Sequence, residues 1–315
     1  MTEQNKIISV AGPTASGKSD LALFLAERFD GEIISFDSMQ IYRGMDIGTA
    51  KPTKEDLARV RHHMIDIADP TENFSVADFT ARAKEIIADV QNRGKTPVLC
   101  GGTGLYQDSL LRGTEFGELH ADEAYRTKLS EFAKTNGNAA LHALLAEKDP
   151  EAAEKIHMNN VKRVIRALEI INASGMTKTE WDKKALENAS GVPATLIALN
   201  YRDREKLYSR IDMRVDIMME NGLFEEVKAL WESGKLLPGT TAFDAIGYKE
   251  MLSCVRGEDS RDVCAEKIKL ATRHYAKRQL TWFLRNKKIN WLYPDEYSSK
   301  EELYSAAAEL VSKDR

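Results

Sequence analysis

A glycine-rich segment near the amino end of the chain has the residue types and spacing of a phosphate-binding loop. Residues 12–19 read GPTASGKS, which matches G-x-x-x-x-G-K-[ST]. In such a loop the glycines let backbone N–H groups turn toward phosphate oxygens, while the lysine neutralises the terminal phosphates. The loop residues are Gly12, Pro13, Thr14, Ala15, Ser16, Gly17, Lys18 and Ser19, with the Ser19 hydroxyl as the Mg²⁺ ligand. The motif does not say which phosphorylated molecule binds, and the alternative is a glycine-rich turn that only caps a helix.

An aspartate follows the second β-rich run of the chain. The run EIISFDS (32–38) ends in Asp37, and parallel sheets bind ligands at the carboxyl ends of their strands. Asp37 could hold Mg²⁺ through water, or it could act as a general base on an acceptor beside the phosphates. It could also be only the N-cap of the next turn.

A second glycine-rich segment, CGGTGLY (100–106), ends another strand-like run. Gly101, Gly102 and Gly104 permit close backbone approach to a ligand, and Thr103 offers a hydroxyl at the same edge. Alternatively, the glycines only make a tight turn. The run carries no acidic residue where it ends, and this absence disfavours a phosphohydrolase.

The elements that must position these residues alternate between strand and helix in the first part of the chain. Strand-like runs lie at 6–12, 32–38 and 96–106, with a possible strand at 63–67 and a late one at 289–294. Helical patterns occupy 19–29 and 75–94, and the second begins at the N-cap Ser75. This alternation predicts a parallel sheet whose two faces are covered.

The middle of the chain is different, because from about Ala121 to Ser190 the patterns are almost only helical. Strand-like sequence returns at 194–201. The predicted fold class is therefore α/β, with a parallel-sheet P-loop core formed by residues 1–115 and 194–315. An all-helical insertion domain is predicted at 116–193.

The composition of the 315-residue chain, 43% hydrophobic and 30% charged, is that of a globular protein. Its net charge of −4 argues against a basic nucleic-acid binder overall. The 3 cysteines form no Cys-x-x-Cys pair and no zinc-like cluster. No apolar run approaches the ~18 residues of a membrane span. We therefore expect a cytoplasmic protein with no membrane partner.

Several segments, taken in order, resemble the tRNA dimethylallyltransferase (isopentenyl-tRNA transferase) family. They are GPTASGKS (12–19), DSMQIYRGMDIGTAKP (37–52), HHMIDI (62–67), GGTGLY (101–106), NVKRVIRALE (160–169), RIDMRVDIMMENGLFEEV (210–227), AIGYKE (245–250) and ATRHYAKRQLTWF (271–283). The family loop often ends in Thr where this chain has Ser19, which keeps the hydroxyl. The zinc finger of eukaryotic relatives is missing, so the resemblance is to the bacterial form.

The resemblance implies a P-loop kinase-like core and a reaction. A dimethylallyl group moves from dimethylallyl diphosphate to the exocyclic amine of the adenosine just 3′ of the tRNA anticodon, and pyrophosphate leaves. The loop would bind the donor's diphosphate with Mg²⁺, in a monomer that binds the anticodon stem-loop. ATP can fit such a loop, but we do not expect it to be the substrate.

The resemblance also assigns roles to residues of this chain. Asp37 is the candidate base and Thr103 lies near the leaving oxygen, while Arg214 is the first and Arg210 the second candidate for the diphosphate arginine. Both arginines could instead pair with the neighbouring Asp212 and Asp216 on a helix surface. The residues expected at the tRNA are Asp37, Ser38, Met39, Gln40, Lys162, Arg163, Val164, Ile165, Arg166, Ala242, Gly247 and Lys249, within the segment 242–249 for the last three. Gln40 suits the edge of an adenine.

One segment is strongly basic despite the acidic total. Residues 267–288 contain 8 Lys or Arg and no Asp or Glu, with Lys269, Arg273 and Lys277 on one helical stripe. Aromatic residues interleave at Tyr275, Trp282 and Phe283. This pattern predicts tRNA binding through Arg273, Lys277 and Arg278, since basic stripes with aromatics suit an RNA backbone and exposed bases. The alternative is an amphipathic helix whose aromatics lie in the core.

Two other functions remain open from the residues. The first is a P-loop small-molecule kinase that uses ATP, with Asp37 as its base. The second is a non-catalytic RNA-binding module that uses the loop as a nucleotide switch. The basic segment disfavours the kinase, because a metabolite kinase has no need of it.

Overall fold

The computed structural model describes residues 6–113, 122–187 and 191–314. The polar start of the chain and the two ends of the predicted helical stretch, Ala121 and Ser190, lie outside these residues. The chain divides into two compact units, one formed by Met1–Leu111 with Val192–Arg315 and the other by Arg112–Gly191.

The first unit is built on a parallel sheet with strand order β3-β2-β4-β1-β5-β6. The strands are β1 (Ile7–Ala11), β2 (Gly31–Ser35), β3 (His62–His63), β4 (Thr96–Gly101), β5 (Ala194–Leu199) and β6 (Asn290–Leu292). The insertion separates β4 from β5 in sequence, yet both pair with β1. The α/β class with a parallel sheet is confirmed.

Helices cover both faces of this sheet. The helices of the first unit are α1 (Lys18–Arg28), α2 (Lys54–Arg59), α3 (Val76–Asn92), α4 (Gly104–Arg112), α10 (Arg204–Glu220), α11 (Leu223–Glu232), α12 (Tyr248–Val255), α13 (Arg261–Phe283) and α14 (Lys300–Asp314). Helices α1 and α14 lie on one face of the sheet, and α3 and α4 lie on the other. Side chains of β1 alternate between faces: Ile8 and Val10 pack with α1 and α14, whereas Ile7 and Ala11 pack with α3 and α4. A third core lies among α10–α13 and the segment after β2.

The strand predicted at 63–67 is wrong beyond its first residue. Strand β3 contains only His62 and His63, because Met64 (φ 63°) and Asp66 (φ 55°) adopt left-handed backbone angles that end an extended run. Instead, the N–H groups of Asp66 and Ile67 donate to the carbonyls of Gln40 and Ile41. The segment therefore supports the chain just after Asp37.

The second unit is helical in the residues that the structure describes. Its helices are α5 (Glu123–Asn136), α6 (Asn138–Lys148), α7 (Pro150–Lys155), α8 (Val161–Ser174) and α9 (Lys178–Glu187). Buried Asp149 joins two of them, accepting the Ala152 N–H that begins α7 and the Thr179 N–H of α9, at 3.0 and 2.8 Å. Along α8, the core contains Val164 and Ile165.

None of the helices in the described ranges is both long enough and apolar enough to cross a membrane.

Candidate functional site

The predicted phosphate loop joins β1 to the first turn of α1. Gly12 has φ 146°, and a Cβ there would lie 2.6 Å from the Leu199 carbonyl oxygen, so only glycine fits. Gly17 precedes α1 in the left-handed region, at φ 92°. The loop thus has the predicted context, with a strand before it and a helix N-terminus after it.

Three cations surround this loop. Lys18 Nζ donates to the Pro13 carbonyl at 3.2 Å, and Arg214 Nη1 donates to Thr14 Oγ1 at 3.3 Å. Arg210 Nε donates to the Ala15 carbonyl at 2.9 Å. Both arginines come from α10, one turn apart, and the predicted alternative that they pair with neighbouring aspartates does not hold.

Burial and neighbouring positive charge disfavour the charged forms of Lys18 and Arg214. Burial, followed by the charge of Arg214, lowers the pKa of Lys18. Burial and then the charge of Arg210 lower the pKa of Arg214. A polyanion seated in the loop would oppose the lowering of both pKa values, since an opposite charge favours the protonated form of each group.

Asp37 and Thr103 lie at the carboxyl ends of neighbouring strands, β2 and β4. Asp37 Oδ1 accepts the Met39 N–H at 2.9 Å, which fixes a turn. Thr103 Oγ1 accepts the Ser38 N–H at 3.1 Å and faces Ser38 Oγ at 3.3 Å. The two loops are therefore held together through Ser38, next to the P-loop at the end of β1.

A cavity of about 310 Å³ opens at this edge of the sheet. Its charged lining residues include Lys18, Asp37 and Arg214. Its apolar lining residues include Val215, Met218, Ala245, Ile246 and Ile268. The Cys100 thiol also lines it, and burial raises the pKa of that thiol to about 11, so it is neutral. All 3 cysteines are free.

The segment RGMDIGTAKP is fixed by residues that the sequence did not identify. Glu226 of α11 accepts the N–H groups of Asp46, Ile47 and Gly48 at 2.9, 2.8 and 3.1 Å, and the Tyr248 hydroxyl at 2.6 Å. Lys51 Nζ donates to the Tyr42 carbonyl at 2.7 Å. Glu226 lies far along the chain from residues 46–48, and backbone N–H groups carry no signal in residue type. The sequence therefore could not predict these hydrogen bonds.

Gln40 lines the cavity, but its carboxamide is already used within the protein. Its Nε2 donates to the carbonyls of Thr49 and Ala50 at 3.3 and 3.1 Å, and its Oε1 accepts the Ser35 hydroxyl at 2.9 Å. These contacts close the segment 40–50 into a loop. For Gln40 to donate to an adenine edge, one of the Nε2 bonds must give way, whereas Oε1 has a second lone pair that can still accept a hydrogen bond.

The three glycines at the end of β4 and just beyond it lie close to protein atoms, although Gly101 also lines the cavity. A Cβ on Gly101 would lie 2.6 Å from the Phe36 ring, and one on Gly104 would lie 2.2 Å from the Trp282 ring. On Gly102 it would lie 2.1 Å from Gln279 Nε2. The close neighbours of Gly102 and Gly104 therefore come from α13, and that of Gly101 is Phe36, which follows β2.

The basic stripe of α13 also needs correction. Arg273 pairs with Asp212, and Lys269 pairs with Asp216 at 2.7 Å, so α10 supplies the acidic partners that the segment itself lacks. Phe283 lies in the core, and Trp282 Nε1 donates to Asp108 at 3.0 Å. Lys277 and Arg278 are exposed, so they retain the capacity to bind RNA.

The structure brings only part of the predicted set into one cavity. The predicted residues that line it are Thr14, Lys18, Ser19, Asp37, Ser38, Met39, Gln40, Gly247, Lys249, Arg214 and Arg278. Ala242 is fully buried in the core, as is Val164 in the second unit, so neither side chain is available to RNA. Lys162, Arg163 and Arg166 are exposed on α8, in the second unit.

Comparison with known proteins shows which family this chain is similar to. The family model described as "IPP transferase" matches residues 40–287. Curated relatives named tRNA dimethylallyltransferase include those of Caldanaerobacter subterraneus, 46% identical, and Acetivibrio thermocellus, 47% identical, each over 95% of both chains. None of these names is that of a kinase, so the kinase hypothesis is not favoured.

Solved structures agree. The full-length tRNA isopentenylpyrophosphate transferase of Bacillus halodurans is 41% identical, with a TM-score of 0.71 over 98% of both chains. A eukaryotic dimethylallyltransferase, described as acting on tRNA, is 28% identical with a TM-score of 0.81, over 98% of this chain and 79% of that one. The P-loop kinase-like core is the fold of these neighbours.

Proposed function

Because this chain belongs to the IPP transferase family, we propose that its P-loop cavity transfers a dimethylallyl group from dimethylallyl diphosphate to tRNA. The acceptor is the exocyclic amine of the adenosine 3′-adjacent to the anticodon. The observation that carries the proposal is a cation cluster, Lys18 with Arg210 and Arg214, placed at the same sheet edge as Asp37.

The donor's diphosphate would sit in the loop. Backbone N–H groups at the start of α1, with Lys18 and Arg214, stabilise negative charge as it develops on the leaving oxygen. The apolar residues that line the cavity, including Val215, Met218 and Ile268, would contact the five-carbon dimethylallyl group. Contacts to both the diphosphate and the dimethylallyl group would then hold the C1–O bond of the donor in position for cleavage.

A divalent cation fits this site only together with the diphosphate. The described residues contain no cluster of three or more His, Cys, Asp or Glu that could hold a metal by themselves. Mg²⁺ typically binds through few protein ligands plus phosphate oxygens and water. We propose Ser19, exposed at the start of α1, as its protein ligand. When bound, Mg²⁺ would neutralise charge on the pyrophosphate.

At the acceptor, the amine nitrogen forms a bond to C1 of the dimethylallyl group while the C1–O bond to the diphosphate breaks. Pyrophosphate leaves with the bonding electrons. The amine proton passes to Asp37, which raises the nucleophilicity of a nitrogen whose lone pair is delocalised into the purine. Thr103, by holding Ser38, keeps the Asp37 turn beside the P-loop.

The adenosine must leave the anticodon stack to reach the cavity. Lys249 and Arg278 at the cavity, and exposed Lys277 on α13, would contact RNA phosphates. We assign Lys162, Arg163 and Arg166 of α8 to the anticodon stem-loop as well. We also propose that the protein acts in the cytoplasm, where its tRNA substrate is found. We propose in addition that it is a monomer.

The test mixes the protein with unmodified tRNA, dimethylallyl diphosphate and Mg²⁺, followed by mass analysis of the nucleosides. We expect one prenylated adenosine and an equal amount of pyrophosphate. The absence of product with competent tRNA, together with ATP-dependent phosphorylation of a metabolite, would restore the kinase hypothesis.

A further inference from the structure

Gln279 of α13 connects the two loops that frame the reaction. Its Oε1 accepts the Thr14 N–H at 2.9 Å, and its Nε2 donates to the Gly102 carbonyl at 2.9 Å. The side chain is 5% exposed, so both bonds are shielded from water. One carboxamide therefore ties the P-loop to the loop after β4.

The surroundings show that this bridge is built into the fold. A Cβ on Gly102 would lie 2.1 Å from Gln279 Nε2, so the amide reaches its carbonyl only because residue 102 is glycine. One turn earlier on α13, the Tyr275 phenol lies against Thr103 and Gln279. Helix α13 thus contacts the two loops with side chains that lie one turn apart.

The atoms on either side of the bridge belong to the proposed chemistry. The Thr14 hydroxyl accepts a bond from Arg214, to which the proposed function assigns the donor's diphosphate. Thr103, next to Gly102, holds Ser38 beside Asp37. A change in the length or direction of the bridge would therefore alter the distance between leaving group and base.

We propose that Gln279 is a positioning residue for the transfer reaction, one that sets the P-loop and the Asp37–Thr103 pair in register. The inference rests on the proposed function. Reaction rates depend steeply on such alignment, and a displacement of about 1 Å can cost on the order of 100-fold. Gln279 lines the cavity, but both ends of its carboxamide are engaged by Thr14 and Gly102, so we expect its effect to appear mainly in kcat.

The first test is Gln279→Met, which keeps the volume of the side chain and removes both hydrogen bonds. We expect kcat for dimethylallyl transfer to fall by roughly 10- to 100-fold, with KM for the donor and tRNA affinity little changed. Kinetics are measured with dimethylallyl diphosphate and unmodified tRNA, and tRNA affinity by filter binding. Val263→Ala, on the exposed face of α13 away from the cavity, is the matched control and should match wild type.

The second test is a double-mutant cycle, which works even if Gln279→Met folds poorly. Gly102→Ala displaces the amide and should lower kcat alone, as should Gln279→Ala. Since truncation removes the clash, the double variant should be no slower than Gln279→Ala by itself, a non-additivity that only a shared contact produces.

The outcomes separate the two proposals. A wild-type protein that makes no prenylated nucleoside refutes the proposed function. If wild type is active, an unchanged kcat in Gln279→Met, or additive effects in the cycle, would overturn the positioning role. So would parallel losses in kcat, tRNA affinity and thermal stability, because they indicate a purely structural contact.

Discussion

Asp37 combines two tasks in one carboxyl group. Oδ1 holds the turn by accepting the Met39 N–H, while the group lines the same cavity as Lys18 and Arg214. Because an asparagine can keep the turn but carries no charge, the structural and chemical tasks can be separated at this position.

We therefore expect Asp37→Asn to fold and bind tRNA normally but to transfer the dimethylallyl group about 10²–10⁴-fold more slowly. The reason is that an amide accepts no proton from the amine. Single-turnover formation of the prenylated nucleoside measures this step directly. Undiminished turnover would exclude Asp37 as the base and leave it as the residue that holds the turn.

Helix α13 has different roles along its length. Its amino-terminal half is tied to α10 by the pairs Lys269–Asp216 and Arg273–Asp212. Further along, it contacts the loops of the site and exposes Lys277 and Arg278. A paired cation releases few counterions when it meets RNA, so the two halves should differ in their effect on tRNA binding.

Replacing Lys277 and Arg278 together by alanine should weaken tRNA binding and reduce the slope of log K against log salt by about 1–2. Affinity is measured over a series of salt concentrations. The matched double variant, Lys269→Ala with Arg273→Ala, should leave the slope nearly unchanged. A larger change for the second pair would show that those ion pairs open to bind RNA.

Two adjacent glutamates of α11 offer another comparison between elements. Glu226 accepts three backbone N–H groups of the segment 46–48 and the Tyr248 hydroxyl, whereas Glu225 makes one exposed pair with Arg261 at 2.9 Å. Only the first connects α11 to the cavity wall formed by Gly48 and its neighbours.

We expect Glu226→Ala to lower the free energy of unfolding by roughly 2–3 kcal/mol, since hydrogen bonds to a charged group are lost and donors are left unpaired. Glu225→Ala should cost much less, because it removes only an exposed ion pair. Urea denaturation of the two variants provides the measurement. Equal losses would mean that the anchor contributes no more than a surface ion pair.

At the scale of the whole molecule, Glu32 secures one edge of the sheet. It is 4% exposed on β2 and bonds to Arg93 at the end of α3, at 2.7 Å, and to His63 on β3, at 2.7 Å. The hydrogen bond from Arg93, above all, lowers the pKa of Glu32 from its ordinary 4.5 to about 2.

Because the folded pKa lies below the unfolded one, this contribution is fully present above about pH 4.5 and is lost as the pH falls toward 2. The shift corresponds to stability on the order of 3 kcal/mol. Wild type should therefore exceed Glu32→Gln in unfolding free energy at neutral pH, with a difference that shrinks in acid. A difference independent of pH would assign the effect to packing.

The sequence predicted what depends on local pattern: β1, the P-loop and the helix after it, the parallel sheet, and the proximity of Asp37 and Thr103 at its edge. It did not predict long-range partners. The acidic residues that pair with Lys269 and Arg273 come from α10, and the close neighbours of Gly102 and Gly104 come from α13. The strand predicted at 63–67 was too long, because the residue types gave no sign of the left-handed backbone angles at Met64 and Asp66.

The cations around the loop should also affect the release of pyrophosphate after the transfer step. Lys18, Arg210 and Arg214 favour a polyanion whether it is still attached to the prenyl group or already free. Contacts that stabilise the departing pyrophosphate therefore also retain it, and in many enzymes such release limits turnover. We expect a rapid burst of one prenylated tRNA per protein followed by a slower steady phase. Hydrolysis of free pyrophosphate in the cell would then favour its dissociation from the loop, which leaves the loop free to bind the next donor.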